Sequence, residues 1–342
     1  MLSLLVVNYR SAALAIDAIR TARAATTDEL QVVAVDNSCN SGEADTLRPH
    51  ADLLLVSAAN RGYAGAINDG RRVCKGEVIV VCNPDVIFES GSIDALAAAI
   101  SGDVAAAGPA LYWDSAMRWT LPPADRLTAV EKLDEVLASR WPPWFAARDR
   151  RRIRKRAAFW RLQETTPVES ISGAVMAIRA RDFDDFDERF ALYFEETDFL
   201  RRLAERRRRI VYVPAARCRH LYNQSAGQVA AEAAARYLES ETRYLAKWND
   251  PFVARLLKSI ERPVTPPEPP AAAAVELPRD GLIVEVSPMS SFVTAAGYIP
   301  HHGERRVELP EDVRASFHGS TLYLRVVDPS SGEVLQSVRA LK

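Results

Sequence analysis

Short apolar runs alternate with amphipathic segments through the first third of the chain. The runs are LSLLVV, LQVVAVDN, DLLLVS and EVIVVCNPD, and the stretches 11–25, 64–74 and 91–101 carry apolar residues at helical spacing. This alternation predicts an α/β fold with a Rossmann-like, mostly parallel sheet and helices on both of its faces. Ligands of such sheets bind at the carboxyl ends of the strands.

Each of the predicted strands ends in polar residues, at positions 8–11, 36–38, 60–62 and 83–85. Parallel strands end at the same edge of a sheet, so these four polar groups are expected to lie side by side. A row of polar strand ends predicts a nucleotide site at that edge.

The pattern changes after residue 119. Residues 119–165 are helical in pattern, and further strands and helices continue to about residue 260. Residues 261–278 contain six prolines and no apolar periodicity, which predicts an extended linker. Residues 279–342 alternate between apolar and polar positions. We therefore expect a first domain over 1–260 with a helical insertion, then the linker, then a small all-β accessory module over 279–342.

Composition narrows the classes of function. Lys plus Arg number 44 and Asp plus Glu number 45, so the balance predicts no nucleic-acid partner. The four cysteines show no metal or redox spacing and are expected to be reduced thiols of a cytoplasmic protein. The N-terminal run has no basic leader or cleavage site, and no window approaches the roughly 18 apolar residues of a membrane span, so neither a signal peptide nor a transmembrane helix is predicted.

The segment Asn83-Pro84-Asp85 follows a buried strand and is a candidate metal site. A lone carboxylate at a strand end is more often a turn or helix-capping residue. Here two oxygen-bearing side chains stand two residues apart across a rigid proline. A divalent cation that bridges a diphosphate takes few protein oxygens, which makes Asp85 a candidate ligand. His220 also follows a strand, and its imidazole suits Mn²⁺ better than Mg²⁺.

The segment NRGYAGAINDG, residues 60–70, is a candidate ligand loop. Gly62 and Gly65 allow close approach of the backbone, Asn60 and Asn68 have amides that can bond a ribose or phosphate, and a helix is predicted to begin near Tyr63. The segment matches neither the dinucleotide fingerprint nor the Walker loop, which argues against those classes.

The segment YFEETDFLRRL is predicted to begin a helix rich in acids. Glu195, Asp198 and Arg202 share one helical face, and the spacing predicts an ion pair between Asp198 and Arg202. Acids in a first turn are common because they complement the helix dipole. Glu196 points away from this face and is a candidate general base in a cleft.

Taken in order, these elements resemble glycosyltransferase family 2, and within it the rhamnosyltransferase-like branch. The matching stretches, spread over about residues 1–245, are VVNYRS, VAVDNSCNSG, NRGYAGAINDG, VVCNPDVIF, SGAVMAIRARDF, FDERFALYFEETDFLRR and RHLYNQSAG. The resemblance implies a GT-A fold and inverting transfer from a nucleotide-diphosphate sugar with Mg²⁺ or Mn²⁺.

The resemblance also implies roles for single residues. Asp36 is expected beside the nucleobase or ribose, Asp85 as the metal-binding carboxylate, Glu196 as the general base with Glu195 as the alternative, and His220 as the residue that completes the metal site. Asn83 replaces the first Asp of the family's Asp-x-Asp element, which predicts weaker metal binding. Glu196 replaces an Asp and is one methylene longer. The donor contacts expected are Asn8, Tyr9, Arg10, Asp36, Asn60, Gly62, Tyr63, Asn68, Asn83 and Asp85, and the acceptor contacts are Ser172, Gly173, Ala174 and Asp198.

Two regions lie outside this resemblance. Residues 140–161 hold nine basic residues against one acid, Asp149, with interleaved tryptophan and phenylalanine. They are either a solvated helix face or a patch that binds anionic lipid at the inner face of the cell membrane. Three roles are considered for the β module: glycan binding, homo-oligomerisation or capping of the first domain. An interaction role is favoured.

Three functions remain at this stage. The first is an inverting transferase that uses a dTDP- or UDP-linked sugar, with dTDP-L-rhamnose as one candidate, and acts on a glycan or lipid-linked glycan of a bacterial surface polysaccharide. The second is a nucleotidyltransferase, whose glycine-rich loop after the first strand is missing from NYRSAALAI. The third is a catalytically silent binding protein, which has no chemical need for Asp36, Asp85, Glu196 and His220.

Overall fold

The computed structural model describes residues 1–190, 192–221, 230–249, 251–260, 266–317 and 320–341. The elements of the first part of the chain are β1 (Leu2–Asn8), α1 (Ala12–Ala24), β2 (Leu30–Asp36), α2 (Ser41–Leu47), β3 (Leu53–Val56), α3 (Gly62–Arg71), β4 (Val78–Cys82), β5 (Val86–Phe88), α4 (Ser92–Ala99) and β6 (Val104–Tyr112).

The elements of the middle part are α5 (Ala129–Arg140), α6 (Pro142–Phe159), β7 (Thr166–Pro167), β8 (Val175–Arg179), α7 (Glu195–Glu205), β9 (Arg209–His220), α8 (Ala230–Trp248) and α9 (Pro251–Ile260). The last part contains β10 (Ala271–Ala272), β11 (Ala274–Glu276), β12 (Ile283–Ser287), β13 (Ala296–Tyr298), β14 (Arg306–Glu308), α10 (Glu311–Ser316), β15 (Tyr323–Asp328) and β16 (Glu333–Ala340).

The chain forms two compact units. The first comprises residues 1–111, 124–126 and 163–244, and the second comprises residues 112–123, 127–162 and 245–342. Helices α5 and α6, which the sequence analysis treats as an insertion in the first domain, thus belong to the same unit as the C-terminal strands. Short strands β10 and β11 lie within the stretch expected to be a linker.

The first unit is built on a sheet with the strand order β3-β2-β1-β4-β8-β6-β9-β5, and β7 pairs with β9. Strands β3, β2, β1 and β4 are mutually parallel, as the alternating pattern predicts. The pairs β4–β8, β6–β8 and β5–β9 are antiparallel and extend the sheet on its other side. The α/β class expected from the sequence is confirmed.

The register of the parallel strands brings the polar strand ends to one edge. Asn8 at the end of β1 pairs with Asp36 at the end of β2, and Asp36 pairs in turn with Val56 on β3. Helix α3 packs closely against this half of the sheet, because a Cβ at Gly70 would lie 2.8 Å from Val35 Cγ2. This close packing holds the end of α3 against the parallel half of the sheet.

The second unit joins helices and strands around a core of its own. Its larger sheet has the order β10-β16-β15-β12-β13, and β11 pairs with β14. Trp160, at the end of α6, packs on the backbone of β13, where a Cβ at Gly297 would lie 2.6 Å from Trp160 Cδ2. Ile153 and Ala157 of α6 pack with Ile283 and Val327 of the sheet.

A buried ionic network also links α6 to this sheet. Glu285, fully buried on β12, accepts hydrogen bonds from Arg156 Nε at 2.8 Å and from Arg325 Nε at 2.6 Å. Arg325 also donates to Asp149 Oδ2 at 2.7 Å. Two of the charged residues in the basic segment 140–161, Arg156 and Asp149, are therefore committed to packing within the unit.

No helix among the described ranges combines the length and the hydropathy that crossing a bilayer requires.

Candidate functional site

Asp36 lies fully buried at the polar edge of the sheet, with one carboxylate oxygen held and the other unused. Oδ1 accepts hydrogen bonds from Asn8 Nδ2 at 2.9 Å and from the Ser38 backbone N–H at 3.2 Å. Oδ2 is buried and has no hydrogen-bond partner among the described residues. An oriented carboxylate with a free lone pair is ready to accept a hydrogen bond from a ligand N–H or O–H.

Asn8 positions this carboxylate. Besides bonding Asp36, its amide nitrogen donates to Glu43 Oε2 at 2.9 Å, and its oxygen accepts from the Ser11 backbone N–H at 3.0 Å. Asn8 was expected to contact the donor, but its amide group is hydrogen-bonded to the residues around it. Glu43, which the sequence analysis missed, also accepts from the Ala12 N–H at 3.0 Å and so ties α2 to the start of α1.

The residues that follow Asn8 lie at the open side of the edge. Tyr9 and Arg10 are both exposed, and the Arg10 guanidinium lies 5.3 Å from the centre of the Tyr9 ring. Arg10 has a φ of 57°, in the left-handed region that residues other than glycine seldom adopt. Both side chains are available to a ligand at this edge.

The ligand loop before α3 is held by Asn37, a second residue that the sequence analysis did not single out. Asn37 Nδ2 donates to Asn60 Oδ1 at 3.0 Å and to the Gly62 carbonyl at 3.1 Å, and Asn37 Oδ1 accepts from the Arg61 N–H at 2.9 Å. Gly62 has a φ of 70°, which explains the glycine. Asn37 could have been identified from the sequence, because it is a polar residue directly after a predicted strand.

Asn68 lies inside the first unit, and its amide bonds the protein itself, although it was expected to contact the donor. Its amide nitrogen donates to the Phe186 carbonyl at 2.9 Å and to Glu188 Oε1 at 3.1 Å, and its oxygen accepts from the Phe186 N–H at 2.7 Å. The side chain is buried. Asn68 therefore anchors the loop around residue 186 with the groups that were expected to contact a donor.

Asp85 and His220 are brought together by strand pairing. Val86 is in register with His220, and the Leu221 N–H donates to the Asp85 carbonyl at 3.0 Å. His220 Nε2 lies 3.3 Å from Asp85 Oδ1. Asn83 lies next to them in sequence, and its N–H donates to the Ala174 carbonyl at 2.9 Å.

These residues fit a cation that is shared with a diphosphate. No cluster of three or more His, Cys, Asp or Glu side chains suited to a metal occurs within the described ranges. A cage made by protein alone is thus not formed there. One carboxylate oxygen and one imidazole nitrogen suit a divalent ion whose remaining ligands are phosphate and water.

The acidic pair lies at the start of α7, directly after two strained residues. Tyr193 and Phe194 have φ angles of 68° and 70°, a conformation that costs on the order of 1–3 kcal/mol for each such residue. Glu195 is buried, and its Oε2 has no hydrogen-bond partner among the described residues. Glu196 is partly exposed and packs against Gly173, where a Cβ would lie 2.9 Å from Glu196 Cγ.

Burial changes the acidity of both glutamates. It raises the pKa of Glu195 well above the usual range, and the negative charge of Glu196 raises it further. Burial also raises the pKa of Glu196. A carboxylate whose pKa is raised in this way is a stronger base once it is deprotonated, which suits proton abstraction.

Tyr63 connects the ligand loop to the acidic pair. Its hydroxyl is buried without a hydrogen-bond partner among the described residues. Burial raises the pKa of Tyr63 well above its usual value, and the negative charges of Glu195, Glu196 and Asp85 raise it further. Tyr63, the candidate base and the candidate metal ligand therefore influence one another electrostatically.

The remaining residues expected on the acceptor side divide into two groups. Gly173 lies against Glu196, and beside it Ser172 Oγ accepts from the Ala174 N–H at 3.2 Å. Asp198 is fully buried, and its Oδ2 lies 3.1 Å from Arg202 Nε, so the ion pair predicted from the helical spacing is present. Only the first group is adjacent to the candidate base.

Helix α8 packs on the strained loop before α7, a contact that the sequence analysis missed. The Tyr237 ring lies 5.6 Å from the Tyr193 ring and 5.3 Å from the Phe194 ring, and Tyr244 lies 5.3 Å from Phe194. Ser240 Oγ donates to the Leu192 carbonyl at 2.8 Å. The last motif of the resemblance, residues 219–227, lies outside the described residues from residue 222 onward.

A family model described as Glycosyltransferase like family 2 matches residues 2–238. The chain is also similar to N-acetylglucosaminyl-diphospho-decaprenol L-rhamnosyltransferase of two Mycobacterium tuberculosis strains. The identity is 28% over 255 residues, which cover 67% of this chain and 80% of each relative.

Two solved structures resemble the chain at low identity. The mannosyltransferase PcManGT from Pyrobaculum calidifontis, in complex with GDP-Man and Mn²⁺, is 15% identical with a TM-score of 0.46, and the match covers 78% of this chain and 66% of that chain. GalNAc-T7 with UDP, GalNAc and Mn²⁺ is 14% identical with a TM-score of 0.44, and the match covers 64% of this chain and 43% of that chain.

Proposed function

The chain belongs to the Glycosyltransferase like family 2, and from this premise we propose an inverting glycosyltransferase that uses a nucleotide-diphosphate sugar. Its fold is the GT-A fold that this family implies, with the parallel strands β3, β2, β1 and β4 forming one side of the sheet. The proposed acceptor is a hydroxyl of a glycan or a lipid-linked glycan.

One observation carries this proposal. Three buried polar atoms, Asp36 Oδ2, Tyr63 Oη and Glu195 Oε2, have no hydrogen-bond partner among the described residues. A buried polar group left unsatisfied costs on the order of 1–3 kcal/mol. These three atoms lie in the predicted donor and catalytic regions, where a bound ligand can supply the missing partners.

The donor end of the site is proposed at Asp36. Its Oδ1 is held by Asn8, which orients the carboxylate and leaves Oδ2 able to accept a hydrogen bond. A pyrimidine base and a ribose both offer an N–H or O–H donor to such an oxygen. We propose UDP- or dTDP-linked sugars as the donors, because both carry such groups.

A Mg²⁺ or Mn²⁺ ion is proposed at Asp85 and His220. When bound, such a cation would neutralise the charge that develops on the leaving diphosphate. The two side chains lie 3.3 Å apart and are both largely buried, so their orientations are set by the pairing of β5 with β9. Asn83 contributes no charge, which supports a weakly held ion.

The proposed general base is Glu196, with Glu195 as the alternative. Inverting transfer needs a base on the acceptor hydroxyl on the side of the sugar opposite the leaving group. Glu196 is partly exposed and can meet an incoming acceptor, whereas Glu195 is buried beneath the helix start. In this role Glu196 takes the hydroxyl proton as the new glycosidic bond forms and the bond to the diphosphate breaks.

The donor sugar and acceptor are proposed from the relative. That protein is named as an L-rhamnosyltransferase of N-acetylglucosaminyl-diphospho-decaprenol. We therefore take dTDP-L-rhamnose as the first donor to test and an N-acetylglucosaminyl-diphospho-polyprenol as the first acceptor. Synthesis of a bacterial surface polysaccharide is the corresponding proposed role.

The test begins with calorimetric titration of UDP and dTDP into the wild-type protein and the Asp85→Ala variant, each with and without Mn²⁺. We expect binding that depends on Mn²⁺ in the wild type and loses that dependence in the variant. Absence of binding for both nucleotides in every condition would overturn the donor site.

Turnover separates a transferase from a silent binding protein. With a donor that binds, the wild type should hydrolyse or transfer the sugar, and Glu196→Gln should lower the rate by about 10²- to 10⁴-fold while still binding nucleotide. If Glu195→Gln alone has this effect, the base is Glu195. Nucleotide binding with no turnover on any acceptor would favour the silent binding protein.

A further inference from the structure

The second unit carries a concentration of exposed apolar side chains on α5, α6 and α9. Phe252 on α9 is 73% exposed, and Trp141 and Trp144 at the start of α6 are 54% and 42% exposed. Val130 and Leu133 on α5, together with Val253 and Leu256 on α9, are also exposed. We call these seven residues the apolar helical surface.

Helix α5 contacts both of the other helices that carry this surface. The Trp144 indole N–H donates to Asp134 Oδ1 of α5 at 2.8 Å, next to Leu133. The Arg140 guanidinium at the end of α5 donates to the Ile260 carbonyl at the end of α9 at 3.0 Å. Val130 and Leu133 stand three residues apart and therefore share one face of α5.

Four arginines (Arg140, Arg148, Arg151 and Arg255) and three acids (Glu131, Asp134 and Glu135) lie on the helices around this surface, and Glu131 is exposed. Arg255 of α9 is basic. Asp134 of α5 is neutralised by Arg148 at 3.0 Å and by Arg151 at 2.6 Å. Arg140 and Arg255 are exposed.

Exposed apolar side chains next to basic residues are typical of a surface that binds a lipid bilayer. Amphipathic helices that lie in a bilayer interface combine large apolar side chains, tryptophan among them, with arginine and lysine that attract anionic headgroups. A surface between two protein copies has no comparable need for basic residues around its apolar centre. We propose that the apolar helical surface binds the face of an anionic lipid bilayer.

The proposal revises the location expected from the sequence. There, all of residues 140–161 formed the candidate lipid patch. In the structure, Arg156 and Trp160 are buried in the second unit, whereas Arg150, Arg151, Arg154, Lys155 and Arg161 stay exposed. The large apolar side chains that remain exposed in this segment lie at its start. Helices α5 and α9 contribute the rest of the surface.

Sedimentation with lipid vesicles tests the proposal in the full chain without donor or acceptor. Vesicles of phosphatidylcholine alone are compared with vesicles of phosphatidylcholine mixed with phosphatidylglycerol. We expect clear binding only to the mixed vesicles. Arg255→Gln should weaken this binding by about fivefold, since one basic residue near an anionic surface contributes that much.

The apolar contribution is tested with the double variant Trp141→Ala with Phe252→Ala. It should weaken binding by about tenfold or more, because two large side chains no longer enter the interface. The matched control is Met289→Ala with Leu335→Ala, two apolar residues of the same unit that are 47% and 42% exposed. The control should bind as the wild type does. Circular dichroism checks that both double variants are folded.

Three results would overturn the proposal. They are equal binding to neutral and anionic vesicles, no vesicle binding by the wild type, and equal loss in the test and control variants. Light scattering supplies a further arm: a stable dimer that is lost only in the Trp141→Ala with Phe252→Ala variant would assign the surface to self-association. Vesicle binding needs no sugar nucleotide, so its failure is distinct from failure of the proposed transferase activity.

Discussion

Gly173 lies directly against Glu196, so that any side chain at residue 173 would collide with the candidate base. A Cβ added there would lie 2.9 Å from Glu196 Cγ and 3.2 Å from Cδ. Residue 173 immediately precedes Ala174, whose carbonyl accepts the Asn83 N–H. This contact ties the position of the base to the strand that ends at the candidate metal ligand.

Gly173→Ala is expected to displace the Glu196 carboxylate and lower kcat. A misplacement of about 1 Å can cost about a hundredfold in rate, whereas the proposed nucleotide site at Asp36 is untouched. Steady-state kinetics with calorimetry of nucleotide binding measures both effects. The control is Gly42→Ala, where the new Cβ would meet Asn40 Oδ1 at an ordinary 3.4 Å. An unchanged kcat in Gly173→Ala would mean that Glu196 is not the base or that its position is not critical.

Asp36→Asn is expected to weaken nucleotide binding about tenfold or more. The amide supplies a donor in place of one acceptor oxygen, and a charge-assisted hydrogen bond to a ligand contributes about 1.5–3 kcal/mol. Calorimetry with UDP and dTDP is the measurement, with the exposed Asp45→Asn as the control. Equal affinity of Asp36→Asn and the wild type would remove Asp36 from the donor site.

Stability is expected to fall with rising pH because of Glu195. Burial first, and the charge of Glu196 second, raise the pKa of Glu195 in the folded state, so folding favours the protonated form. This contribution is fully present below the pKa of an unfolded glutamate and is lost as the pH rises through the raised value. In Glu195→Gln the residue stays neutral, so less stability should be lost over the same range.

Urea unfolding at a series of pH values compares the two proteins. Glu205→Gln, an exposed position at the end of the same helix, serves as the control and should follow the wild type. Parallel curves for wild type and Glu195→Gln would show that Glu195 titrates as an ordinary carboxyl.

Tyr237→Ala is expected to lower kcat several-fold with little effect on nucleotide affinity. The Tyr237 ring packs on Tyr193 and Phe194, and an aromatic pair contributes about 0.5–1.5 kcal/mol beyond its buried area. Without it, the two residues in left-handed conformation have less support, and the start of α7 with its glutamates can shift. Tyr237→Phe keeps the ring and should retain the rate. Equal loss in both variants would contradict a positioning role for the ring.

Glu285→Gln is expected to destabilise the second unit by about 3–5 kcal/mol, because it leaves two buried guanidinium groups short of a counter-charge. Arg156 and Arg325 both donate to this carboxylate. Thermal or urea unfolding measures the loss. Glu308→Gln, at a side chain that is 55% exposed, is the control and should change stability little. A neutral result at residue 285 would mean that Asp149 and packing alone hold the network.

The sequence by itself determined the strands of the parallel half and the residues at their ends. Periodicity is a local property, and parallel strands end together, so the meeting of Asn8 with Asp36 followed from the pattern. The spacing of Asp198 and Arg202 likewise predicted their ion pair. The family match extends this to residues 2–238.

Only the tertiary structure decided which polar groups are available to a ligand and which are hydrogen-bonded within the protein. Asn68 and Asn8 had the right chemistry for a ligand, but their partners are residues brought close by folding, such as Phe186, 118 positions away from Asn68. The basic segment 140–161 is likewise part surface and part core. Arg156 bonds Glu285 and Trp160 packs on Gly297, so both side chains are buried. Contacts across such distances depend on how elements pack, which residue types and spacing along the chain do not specify.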